Sequence, residues 1–69
     1  MEFRILETSY GGRIFKIEED YPEIGSYLYI YENEKCVKDY LQNDIGTCKQ
    51  IALKYYGVPL NKWTSKEKK

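Results

Sequence analysis

The stretch SYLYIYENEKCVKDYLQNDIGTCKQIALKYYGVP, residues 26–59, changes its hydrophobic period midway, and that change decides the fold. From Ser26 to Tyr31 the side chains alternate, Leu28 and Ile30 against Tyr27, Tyr29 and Tyr31, the period of two that a strand imposes. A turn through Glu32-Asn33-Glu34-Lys35 leads to a second strand, Lys35–Leu41. A two- or a four-residue loop gives the same parity there, with Ile30 facing Val37 and Leu28 facing Asp39. The other face then collects Tyr27, Tyr29, Tyr31, Cys36, Lys38 and Tyr40. Beyond Asn43 the spacing is helical: Ile45, Cys48, Ile51, Ala52, Tyr55 and Tyr56 fall on one arc about 140° wide at 3.6 residues per turn. Asn43 or Asp44 is the N-cap, Gly57 takes the left-handed position after the last turn, and Pro59 stops continuation. Leu53 lies off the arc, where a Schellman cap would set it against Val58.

Working outward, two earlier segments alternate, near Glu2–Thr8 and near Arg13–Glu18, giving four strands followed by one helix. Placing Phe3 and Ile5 on the same buried face as Phe15 and Ile17 requires equal parity across the hairpin. A three-residue loop, Tyr10-Gly11-Gly12, meets that requirement and pairs Ile5 with Ile17; a two-residue Gly11-Gly12 turn pairs Ile5 with Glu18. The longer loop is the expectation. Pro22 and Gly25 mark 19–25 as an irregular connection. The fold expected is α+β, a four-stranded antiparallel meander of two hairpins packed on a C-terminal helix. A single domain spans 1–63, and 64–69 reads as a basic, disordered tail. Leu60 and Trp63 are expected to fold back over the helix end or a sheet edge.

Composition narrows function. The chain has 69 residues, eleven Lys and Arg, eleven Asp and Glu, and no His. A domain this small buries only about 60% of the surface its unfolded chain exposes, which disfavours a large internal substrate cavity. Zero net charge argues against general nucleic-acid binding, which draws on excess cations facing phosphates. The neutrality conceals a dipole: residues 1–44 carry ten acids and five bases, and residues 45–69 carry six bases and one acid. The absence of His removes the common proton shuttle and zinc ligand. Neither Ser nor Cys has an activating base, and Gly11-Gly12 lacks the rest of a phosphate loop. No catalytic residue, metal or cofactor is expected. Cys36 and Cys48 are expected to be buried or half-buried free thiols on opposite sides of the sheet. The N-terminus lacks the pattern of a secretory signal and no apolar run approaches a membrane span, so the cytoplasm is the expected location and no membrane partner is expected.

A twelve-residue helix, about 18 Å long, covers one face of such a sheet. The other face must meet water or a partner, and Tyr27, Tyr29, Tyr31, Lys38 and Tyr40 are therefore the candidate partner-binding residues. Tyrosines are also good strand formers that stabilise a wet sheet face by cross-strand contact. As a function, a tyrosine face offers rigid amphipathic contact area for a protein partner or for self-association. The alternative is weak single-stranded nucleic-acid binding on the same rings with Arg4, Lys16 and Lys38, which Glu2 and Glu18 oppose.

The motif Asp39-Tyr40-Leu41-Gln42-Asn43-Asp44, followed by Ala52, Gly57-Val58-Pro59 and Trp63, resembles that of a group of small uncharacterised bacterial ββββα proteins. Tyr10-Gly11-Gly12 and Gly25-Ser26-Tyr27-Leu28-Tyr29 extend the resemblance over most of the chain. It departs at Asn43, where an acidic residue is usual, and at Gly46, early in the helix. The resemblance implies a stand-alone domain without catalytic residues, in some members similar to immunity-type proteins that bind and neutralise a partner.

Overall fold

The computed structural model describes residues 3–66. Five strands and one helix follow in the order β1 (Ile5–Tyr10), β2 (Arg13–Glu19), β3 (Ser26–Glu32), β4 (Lys35–Gln42), α1 (Ile45–Tyr56) and β5 (Thr64–Lys66). The strands form one antiparallel sheet in the order β4-β3-β2-β1-β5. The α+β architecture of four strands followed by a helix is as expected, with a short fifth strand added. Thr64–Lys66, expected in a tail, pair with Ile5–Glu7 along the β1 edge; the remainder of that expected tail, 67–69, lies outside the described residues, as does Glu2.

The first hairpin turns in two residues, not three. Gly11 and Gly12 both adopt positive φ, 61° and 81°, the geometry of a tight turn whose twist matches the flanking strands. Tyr10 therefore pairs with Arg13, Leu6 with Ile17 and Ile5 with Glu18. The slip of one residue exchanges the faces of β1. Leu6 joins the core at 8% exposure, and Ile5 moves to the opposite side. Phe3, expected inside, sets its ring edge-on against Tyr21, 5.0 Å between centroids.

The second hairpin also turns in two residues, Asn33 and Glu34, both at positive φ. Tyr31 pairs with Cys36 as expected, but Ile30 pairs with Lys38 because Val37 is an extra, bulged residue. Every β4 residue past the bulge changes face relative to the expected register. Tyr40 now lies opposite Leu28, and Asp39 opposite Tyr29. The gain is physical: without the bulge the Asp39 carboxylate would point at the core in place of the Tyr40 ring.

Phe15, Ile17, Leu28 and Ile30 form the centre of the inner face, fully buried beneath Ile45, Cys48 and Ala52 of α1. The helix lies across β2, β3 and β4. Its arc is narrower than the spacing suggested, since Ile51 and Tyr56 are half-buried and Tyr55 is exposed. Asp44 caps the helix through the Thr47 backbone amide and hydroxyl, both at 2.8 Å. Gly57, at φ 78°, donates to the Leu53 carbonyl at 3.0 Å, an αL-type end in which Leu53 stays exposed while Val58 is buried. The chain then returns beneath the sheet, and Trp63 packs on the core with its ring 6.4 Å from Phe15.

Two carboxylates tie this frame together and give it an acid limit. The Thr47 amide, then its hydroxyl, hold the Asp44 carboxyl below its ordinary range. Hydrogen bonds from the Arg4 side chain, then its backbone, do the same for Glu19. Carboxyls whose folded pKa is depressed contribute stability that is complete above their unfolded pKa, about 4, and is lost as pH falls through the folded value. Thermal melts should therefore be level above about pH 5 and fall toward about pH 3. Asp44→Asn keeps a capping oxygen without the titration, so its melting temperature should fall less over that acid range. A profile identical to wild type would remove Asp44 from the account.

Candidate partner-binding face

On the side away from α1, the register sets side chains in three cross-strand rows. The first runs Leu41, Tyr27, Glu18, Ile5, Lys66 and the second Asp39, Tyr29, Lys16, Glu7, Thr64. The third runs Cys36, Tyr31, Ile14, Ser9. Alternation along β3 places the three tyrosines in a file on this face, one strand in from the β4 edge. Tyr27 and Tyr29 stack with centroids 5.8 Å apart and planes inclined by 14°, and Lys16 Nζ lies 5.8 Å from the centre of the Tyr31 ring. All three tyrosines are half-buried.

Two of the three carboxylates on this face have a lysine within reach. Lys16 Nζ is 3.9 Å from Glu18 and Lys66 Nζ is 3.5 Å from Glu7. Partial burial first, and the Glu18 charge second, push the Tyr29 hydroxyl above its ordinary range, so it stays protonated and able to donate. Ile14 and Leu41 flank the rings at 43% and 52% exposure, leaving apolar surface uncovered. Two open depressions share Glu7 and Ile14. One of about 490 Å³ runs between Ser9 and Lys62 beside β5, and one of about 210 Å³ lies by Tyr31 and Glu34.

The structure thus brings together Tyr27, Tyr29 and Tyr31, and separates Lys38 and Tyr40 from them. The Val37 bulge carries both to the inner face, where Lys38 Nζ lies 5.7 Å over the Tyr40 ring. Tyr40 packs against the core, and the Tyr56 hydroxyl is pushed up by burial first and by the neighbouring Tyr40 hydroxyl second. Arg13 lies over the Tyr56 ring and pairs with Glu32. Tyr40 and Lys38 therefore close the rim of the core beside the end of α1. Ile14, Leu41, Glu18 and Asp39 belong to the outer face although sequence reading does not single them out as contact residues. The parity of Ile14, opposite to Phe15 and Ile17, is the available signal; Asp39 and Leu41 depend on the bulge.

Both cysteines are free thiols; Cys48 is buried as expected, whereas Cys36, beside the β3–β4 turn, is exposed rather than half-buried. Burial, with Asp44 a smaller contributor, pushes the Cys48 thiol up to about 11, so it is an inert core group. Among the described residues no three His, Cys, Asp or Glu side chains converge as metal ligands, and no helix is long and apolar enough to cross a membrane. The fold defines a small α+β domain of ββββα type with an added edge strand. Comparison with protein-family models, curated proteins and solved structures yields no match.

Proposed function

We propose that this chain is a small non-enzymatic protein-binding domain, immunity-like or self-associating, that recognises its partner through the outer sheet face. The observation that carries the reading is the asymmetry of the sheet. One face is covered by α1 and Trp63, whereas the other leaves Tyr27, Tyr29 and Tyr31 half-exposed beside exposed Ile14 and Leu41. Tyrosines in such a setting are frequent binding hot spots, because they contribute large contact area and lose little rotamer freedom. Glu7, Glu18 and Asp39 interleave with the rings and weigh against a phosphate backbone as the ligand.

The test is capture of a protein partner from the cells that produce the chain, comparing wild type with Tyr29→Ala and Tyr31→Ser. Truncation of a hot-spot ring should weaken capture by about 30-fold, equivalent to roughly 2 kcal/mol. The far-UV spectrum and melting temperature should change little, because neither ring belongs to the core. Unfolding of these variants would instead assign the tyrosines a structural role. A toxin-like gene beside this one would favour the immunity form of the reading.

A further inference from the structure

We propose that the outer face receives a second copy of this chain, in a two-fold dimer where β2 lies antiparallel over the partner's β2 and Lys16 of each copy meets the partner's Glu18. This rests on the binding-face reading above and names its occupant. An isologous interface must be self-complementary, since the same patch serves both subunits. A two-fold axis lying along β2 would stack Lys16 on the partner's Lys16 and Glu18 on the partner's Glu18. An axis crossing the strands at the second row would again oppose the two lysines. An axis crossing them between the first and second rows sets row one of each copy on row two of the other. Glu18 then faces the partner's Lys16, Tyr27 faces the partner's Tyr29, and both contacts occur twice.

Three observations support this placement. The Lys16 side chain is two-thirds buried and already lies between the Tyr31 ring and Glu18, so it needs little ordering to reach across. The chain as a whole carries no net charge and the three rows carry three carboxylates against two lysines, so long-range repulsion between copies is small. Asp39 and Leu41 sit on the edge strand β4, where the rim of the interface keeps access to water. Five strands at the usual spacing, over about 20 Å of length, present roughly 500 Å² per copy, below the roughly 800 Å² of a standard interface. The dimer should therefore be weak, with dissociation on the order of micromolar to tens of micromolar.

Sedimentation of the purified chain from about 5 µM to about 500 µM spans that range. The weight-average mass should climb from 8.3 kDa toward twice that value. Lys16→Glu and Glu18→Lys should each weaken association at least about 10-fold, because each sets like charges in contact twice. The double reversal should restore it, and an equimolar mixture of the two single variants should associate although neither does alone. The double variant keeps any cross-strand cost of setting a second carboxylate opposite Glu7, so its recovery separates association from folding. A wild-type mass of 8.3 kDa throughout would overturn the proposal, as would dimers indifferent to either single reversal. A chain that stays monomeric but is captured through Tyr29 by a different protein, or that binds a labelled single-stranded oligonucleotide, would overturn the second-copy assignment. Only the first of those two results would leave the protein-binding reading standing.

Discussion

Gly25→Ala is expected to abolish the folded state at 25 °C. Gly25 ends the connection between β2 and β3, where Asp20 donates to its carbonyl and its own amide donates to Tyr21. Its φ is 115°, a region that costs an L-residue about 1–3 kcal/mol. A Cβ at this position would also lie 2.0 Å from the Gln42 carbonyl oxygen and 3.1 Å from its carbon. Both are backbone atoms of the strand that β3 must pair with, so no side chain can swing aside. Relief requires Ser26 and Gln42 to separate, which breaks the first pair of the β3–β4 ladder. A domain of this size holds roughly 3–5 kcal/mol of stability in total, and the combined cost should exceed it. Far-UV circular dichroism and Trp63 fluorescence would report the loss. Gly11→Ala is the control: its φ is 61° and nothing lies within 4 Å of a Cβ there, so a cost of about 1–2 kcal/mol should leave the chain mostly folded. A Gly25→Ala variant that melts like wild type would mean that the loop does not approach β4.

Leu6→Ala should destabilise the domain by about 2–4 kcal/mol, whereas Ile5→Ala should cost about 1 kcal/mol or less. The contrast follows from the hairpin. With Gly11 and Gly12 alone in the turn, Leu6 lies on the inner face beside Ile17, and Ile5 lies beside Glu18 and Lys66 on the outer face. Leu6 has 8% of its surface exposed, so its truncation opens a cavity in a core of only nine buried apolar residues among those described. Urea titrations of the two variants would discriminate the registers directly. A three-residue turn would reverse the order of the two effects.

The features legible in sequence are those governed by local rules. Helix α1 is readable because its period, the Asp44 cap, the left-handed Gly57 and Pro59 are all encoded within a few residues of one another. The file of Tyr27, Tyr29 and Tyr31 is equally legible, since alternation within one strand needs no knowledge of its neighbours. Simple alternation puts Lys38 and Tyr40 on the wrong face because their position depends on Val37, one residue that the ladder leaves unpaired. Nothing in the local composition distinguishes Cys36-Val37-Lys38 with a bulge from the same residues in regular pairing. The bulge is favoured only once the core on the far side of Leu28 selects the Tyr40 ring over the Asp39 carboxylate. The first hairpin poses the same difficulty, because Ile5 and Leu6 are both apolar and either parity offers the core a suitable side chain. β5 is still less visible: Thr64-Ser65-Lys66 has no hydrophobic period, and its strand form comes from the open edge of β1.

By itself, then, the sequence determined the order of the four strands and the helix, the ends of that helix, and the presence of a tyrosine face on a sheet that one short helix cannot cover. Tertiary structure alone decided which β1 residue enters the core, which side of the sheet receives Tyr40, and that Thr64–Lys66 pair along the β1 edge. The division has a single physical reason. Period and capping are properties of neighbouring residues along the chain, whereas register is a choice between whole faces, settled only when two strands and the helix above them compete for the same buried volume.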